Sequence, residues 1–123
     1  PALYRLRLGR EAVYDVMGKR QPQAEDLASL AELAERLDEP KQKAVVQLRY
    51  AGYARSTGDY PQALSAVQQA AGQAALSGDG LIAAQAYHEW GRIFWHQSQY
   101  PQALEKLGAA LSFAQQADSR LEQ

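Results

Sequence analysis

The sequence predicts an all-α protein, an α-solenoid of antiparallel helix hairpins with about three hairpins and six helices. Three observations carry this. The pentapeptide Tyr60-Pro61-Gln62-Ala63-Leu64 returns unchanged as Tyr100-Pro101-Gln102-Ala103-Leu104, forty positions later. Around each copy, apolar residues and alanines recur at spacings of three and four, the stripe of an amphipathic helix. Between the stripes stand breakers such as Gly58-Asp59 and Ser77-Gly78-Asp79-Gly80, which leave room only for a tight reversal. A fixed period of roughly 20 to 50 residues marks units that bury their apolar faces only by stacking on one another.

The first helix is expected from Ala2 to Met17, stopping at Gly18, a residue suited to the left-handed turn after a helix. The second opens near Pro22 and carries Leu27, Leu30, Leu33, Ala34 and Leu37 on one stripe. Asp38-Glu39-Pro40 closes it, because proline does not continue a helix from within. The third covers about Lys41 to Ser56 and ends at Gly58-Asp59. The fourth takes Pro61 in its first turn, where the missing N–H costs nothing, and Leu64, Val67, Ala70 and Ala74 follow. The fifth spans about Leu81 to Gln97, and the sixth runs from Pro101 to about Ala117. The hairpins are then 2–38, 41–78 and 81–118, one repeat domain over 1–123. Pro22-Gln23-Ala24 echoes Pro61-Gln62-Ala63 and ties the degenerate first hairpin to the others. Ala63, Ala70, Ala103 and Ala110 fall where a larger side chain would hold paired helices apart, and Gly91 with its counterpart Ala51 serves the facing helix. The scheme requires Tyr60 and Tyr100 to open equivalent helices in like surroundings.

Composition narrows the function classes. The chain has no cysteine, so neither a disulfide framework nor thiolate chemistry is available, which suits a reducing cytoplasm. Thirteen basic and fourteen acidic residues nearly cancel, leaving a formal charge of −1 and no electrostatic footprint for nucleic acid or an anionic membrane. No apolar run approaches the ~18 residues of a membrane span. The chain opens on Pro1 and closes at Gln123 without an obvious polar cap, so a segment of a longer protein is expected.

The last hairpin reads Tyr87-x2-Trp90-Gly91-x2-Phe94, then Ala103 and Leu107. This resembles the tetratricopeptide repeat pattern of alternating large aromatic and small positions. Gln47, Tyr50, Ala51, Ala54, Ala63 and Val67 fit it less closely in the hairpin before. Gly58-Asp59-Tyr60 matches the family's favoured turn, while Ser98-Gln99-Tyr100 keeps only the tyrosine. Two features depart from the pattern: the period is forty rather than about thirty-four, and Ala75 and Gln115 stand where the late proline belongs. Long, alanine-rich repeats of this kind are similar to those of bacterial signal-transducing ATPases and LuxR-type regulators.

The resemblance implies a right-handed solenoid whose repeat packing uses Tyr60, Ala63, Tyr100, Ala103, Trp90, Gly91 and Phe94. It also implies a concave groove lined by the first helix of each pair. In the middle hairpin those positions are Val45, Leu48, Arg49, Gly52, Arg55 and Ser56. In the last they are Gln85, His88, Glu89, Arg92, Trp95 and His96. Arg49, Arg55, His88, Arg92, Trp95 and His96 form the candidate partner-binding site, since guanidinium groups grip carboxylates and an open indole offers a stacking surface. A peptide or protein domain, acidic or ending in a free carboxylate, is the expected partner. The blander reading has the arginines solvating a helix face and Trp95 packed against the neighbouring repeat. By family analogy the function is scaffolding, or else a sensor arm acting on other domains of its own chain. RNA reading is the third option, which neutral charge disfavours. Exposed repeat ends also suggest self-association.

Catalysis is not expected. His88-Glu89-Trp90-Gly91-Arg92 lacks the second histidine of a zinc-protease helix. His88 and His96 lie about 12 Å apart along a helix, too far to share one metal. The Ser77–Gly80 loop has no phosphate-binding lysine, and Asp15, Glu25 and Glu32 fall on polar faces. No metal or cofactor is expected.

Overall fold

A computed structural model describes residues 2–122, with side-chain surroundings through residue 118. Among the described residues there are six helices and no strand: α1 (Ala2–Met17), α2 (Arg20–Leu37), α3 (Pro40–Ser56), α4 (Tyr60–Ser77), α5 (Gly80–His96) and α6 (Tyr100–Glu122). Consecutive helices pack as antiparallel hairpins α1/α2, α3/α4 and α5/α6, and the hairpins stack through α2 on α3 and α4 on α5. The inner helix α3 also touches α5 directly.

A finer period than forty sets the helix ends. The left-handed residues are Gly18 (φ 70°), Asp38 (φ 51°), Gly58 (φ 82°), Gly78 (φ 71°) and Ser98 (φ 61°), one every twenty residues. Each supplies the reversal after a helix, where a residue with positive φ lets backbone N–H groups fold back onto the last carbonyls. The next position in the series is Asp118, and there α6 runs on to Glu122 instead of turning. Pro40 proves to be the first residue of α3 rather than the terminator of α2, which the left-handed Asp38 ends. Proline suits that position because its N–H would be unpaired in any case. Asp59 and Asp79 cap α4 and α5, accepting hydrogen bonds from Gln62 N and from Leu81 N and Ile82 N.

Burial fixes the repeat register. In α4 the buried residues are Ala63, Ala66, Val67, Ala70 and Ala74; in α2 they are Gln23, Asp26, Leu27, Leu30 and Ala34, each forty residues earlier. The Pro22-Gln23-Ala24 echo is therefore one residue out of register, and Gln23 stands where Ala63 and Ala103 stand. Two alanine positions become polar in the first hairpin, and both are satisfied. Asp26 accepts from Arg10 Nε at 2.9 Å, and Gln23 Nε2 donates to Glu11 at 2.7 Å.

Each core cluster draws on two adjacent hairpins, the condition for a stacked repeat to be stable. Tyr4, Leu27, Leu30 and Ala34 meet Val46 of α3; Ala51, Ala63, Ala66 and Val67 meet Ile93 of α5; Ala44 and Ala74 meet Ile82 and Ala83. Of the proposed packing residues, Ala63, Ala103 and Gly91 are buried and Tyr60, Trp90 and Phe94 half-buried. Tyr100 departs from Tyr60. Both open equivalent helices, but Tyr60 packs against the core, whereas Tyr100 is 46% exposed with its ring edge on Trp95. The difference arises because α5 covers α4 and no described helix covers α6 in the same way.

Candidate functional site

The inner helices α1, α3 and α5, with the flank of α6, enclose a groove of about 830 Å³. Its walls are apolar, leucines among alanines: Ala12 and Val16 from α1, Leu48 and Gly52 from α3, Ala84 from α5, and Leu107, Ala110, Leu111 and Ala114 from α6. A Cβ on Gly52 would meet Glu89 Oε1 in ordinary contact at 3.5 Å.

The floor is a charged network. Arg49 Nη1 donates to the buried Glu11 at 2.8 Å, and Arg55 Nε donates to the nearly buried Glu89 at 2.7 Å. Each pair joins neighbouring inner helices, α3 to α1 and α3 to α5. Asp15 accepts from Arg20 at 2.7 Å and from Gln23 at 3.2 Å, and Gln23 in turn donates to Glu11. Burial pushes the Asp15 carboxyl up, but hydrogen bonds from Arg20 and Gln23 and the charges of Arg20 and Arg55 prevail, and it lies below the usual 3.8. Tyr4, at the outer end of the first hairpin, donates its hydroxyl to Gln42 O at 3.1 Å, and burial raises its pKa despite the nearby Arg49.

A second recess of about 360 Å³ continues the groove past His88 and Leu107, lined also by Arg92, Trp95 and His96. Its character differs from that of the first. Arg92 is half-exposed and stands 4.0 Å from Glu89, its only carboxylate neighbour within salt-bridge range among the described residues. Both histidines and Trp95 are exposed.

The structure thus brings the six candidate residues to one continuous surface but divides their roles. Arg49 and Arg55 are tied to carboxylates of the chain itself and act as cross-links between repeats, whereas Arg92, among the described residues, has only the 4.0 Å contact with Glu89. Trp95 is open to solvent rather than packed against a neighbouring repeat. Of the other groove positions, Leu48, Gly52, Gln85 and Glu89 line the cavity. Val45 packs instead against the Ala44/Ile82 cluster, and Ser56 lies at the end of α3 outside both recesses. Asp15, assigned to a polar face, lies in the groove. The α1 wall and the α6 wall went unpredicted. The first was hidden by the weak repeat pattern of that hairpin, although Glu11 and Asp15 share a face at i, i+4. The second becomes a wall only because nothing described stacks on α6.

Among the described residues no group of three or more histidine, aspartate or glutamate side chains is arranged to hold a metal, and no helix is long and apolar enough to cross a membrane. Family models, curated proteins and solved structures were compared with the chain, and none matches it.

Proposed function

We propose that this domain is a cytoplasmic protein-interaction module of the tetratricopeptide type that holds a segment of a partner protein in the groove. The observation that carries the reading is the groove itself: about 830 Å³, with apolar walls from four helices over a floor whose charges are already paired. That volume falls in the range of roughly 300–1,000 Å³ typical of ligand clefts. Cross-linking of the inner helices holds the walls in place before a ligand arrives, so little ordering entropy is lost on binding. Apolar side chains of the partner fill the space between Leu48 and Leu111. An acidic group or a terminal carboxylate is directed to Arg92, whose guanidinium has only the 4.0 Å contact with Glu89 among the described residues.

The test is capture of peptides of about 15 residues from a displayed library, followed by titration of the purified binders. Arg92→Ala is expected to weaken acidic binders about tenfold, the loss of one charge-assisted contact of roughly 1.5 kcal/mol. Leu48→Glu is expected to abolish binding, and Leu76→Ser, on the exposed far surface, to leave it unchanged. Binders insensitive to Leu48→Glu but lost with Leu76→Ser would overturn the reading.

A further inference from the structure

The two seams between hairpins are built from matching positions but are filled differently. At the second seam, Tyr87 and Trp90 of α5 stack with ring centroids 5.5 Å apart. Lys106 of α6 closes over them, its Nζ 3.9 Å from the Trp90 ring centre and 5.6 Å from that of Tyr87. This is a cation–π contact made within the chain. Forty residues earlier the three positions are Gln47, Tyr50 and Ala66. One ring is kept there, the other is replaced by an amide, and the lysine is cut back to a methyl group.

The first seam accordingly holds a recess of about 290 Å³ between α2, α3 and α4. That lies just under the roughly 300 Å³ at which ligand clefts begin, room for one side chain rather than a cofactor. Leu27, Ala34 and Ala66 give it apolar walls, and Tyr50 gives it an exposed ring. Gln47 Nε2 donates to Gln69 Oε1 at 3.0 Å, whereas Gln47 Oε1 is buried with no hydrogen-bond partner among the described residues. A buried carbonyl oxygen left without a donor costs free energy that an incoming N–H recovers. The charged residues also favour a cation. Glu35 and Lys43 line the recess, and Lys43 Nζ is already held by Asp38 at 2.6 Å and Glu35 at 3.8 Å, two carboxylates to one ammonium.

We infer that this recess receives a lysine side chain of a partner protein, which takes at the first seam the place Lys106 takes at the second. The stem lies along Leu27, Ala34 and Ala66, as long cationic side chains do on apolar surface. The ammonium donates to Gln47 Oε1 and meets the face of Tyr50, with Glu35 beside it. Lysine suits the site better than arginine, whose planar fork of donors calls for more than the one buried acceptor present. The walls are inner elements of the stack, so the site does not depend on what adjoins α1 or α6. None of its residues lines the groove, and the two sites can be tested separately.

The probe is the peptide acetyl-Ala-Ala-Lys-Ala-Ala-amide, titrated into the ¹⁵N-labelled domain and followed through backbone and glutamine side-chain amide shifts. Saturable shifts are expected at Gln47, Tyr50, Ala66 and Gln69, with a Kd of about 1 mM for a single side chain. The same peptide with norleucine for lysine keeps the stem and loses the ammonium, and is expected to bind about tenfold more weakly. Ala66→Lys supplies the missing side chain from the chain itself and is expected to keep the helical fold by circular dichroism and to abolish binding. Gln47→Leu removes the acceptor at a half-buried position without adding volume, and is expected to weaken the lysine peptide severalfold. Leu48→Glu, in the groove, is expected to leave the lysine peptide unaffected. Absence of saturable shifts up to about 10 mM, tenfold above the expected Kd, would overturn the inference. So would equal binding of the norleucine peptide, tighter binding of an arginine peptide, or undiminished binding by Gln47→Leu or by folded Ala66→Lys.

Discussion

The contact between Gly91 and Leu107 gives the sharpest test of the packing. A Cβ built on Gly91 would lie 2.7 Å from Leu107 Cγ, 2.8 Å from its Cδ2 and 3.2 Å from the carbonyl oxygen of Ala103. Carbon atoms rest at about 3.5–4.0 Å, so close to 1 Å of overlap has to be relieved. Overpacking of this kind costs about 1–3 kcal/mol, and the better helix propensity of alanine returns about 1. Gly91→Ala is therefore expected to lose about 1 kcal/mol net. The middle hairpin shows how the clash is avoided: Ala51 occupies the position of Gly91, and the residue facing it is Val67 in place of Leu107. Both Ala51 and Val67 are fully buried. Leu107→Val alone removes one methylene and is expected to cost about 1 kcal/mol. The double variant recreates the Ala51–Val67 pair and is expected to lie near wild type, a coupling of about 2 kcal/mol. Urea unfolding followed by helical circular dichroism measures all four proteins. Additivity within about 0.5 kcal/mol would mean that the two residues are independent, and would refute both the contact and the forty-residue equivalence on which it rests.

Other consequences follow from the same geometry. Arg55→Ala leaves the nearly buried Glu89 with only the 4.0 Å contact to Arg92 and is expected to destabilise the domain by about 3 kcal/mol, whereas Arg55→Met with Glu89→Leu should recover most of that loss in urea titrations. Ser98 holds a left-handed conformation that Gly58 and Gly78 adopt without strain, so Ser98→Gly is expected to stabilise by about 1 kcal/mol and Gly58→Ala to destabilise by a similar amount in thermal melts. The Asp79 carboxyl is held below its usual 3.8 chiefly by the Ile82 N–H, with Lys41 and the Leu81 N–H adding to it and burial opposing. Stability from a depressed carboxyl is present above 3.8 and is lost as pH falls through the folded value. Asp79→Ala should cost about 1 kcal/mol at neutral pH and flatten the fall in stability below about pH 3.8, read from urea midpoints against pH.

The architecture was legible because the devices that set it are local. A repeated pentapeptide, stripes of period 3.6 and a glycine in three of the five turns announce the hairpins without reference to the rest of the molecule. Pro40 misled at one boundary, because a proline that cannot continue one helix is well suited to open the next. The register of the first hairpin was illegible for a related reason. Pro22-Gln23-Ala24 matches by spelling, while the position that counts is set by what lies beneath it, and there Gln23 replaces alanine. In the groove the sequence placed α3 and α5, missed the walls from α1 and α6, and could not assign partners to the arginines. Glu11 and Arg49 are thirty-eight positions apart and Arg55 and Glu89 thirty-four, and only the stacking of α1, α3 and α5 brings them together.

The central claim, that the inner helices and the flank of α6 form the binding face, is tested most directly by amide chemical-shift mapping of the ¹⁵N-labelled domain with a captured peptide. Perturbations are expected at Leu48, Gly52, Ala84, His88 and Arg92 and along α6 from Leu107 to Ala114, with the outer surfaces of α2 and α4 silent. Shifts confined to those outer surfaces would contradict the account.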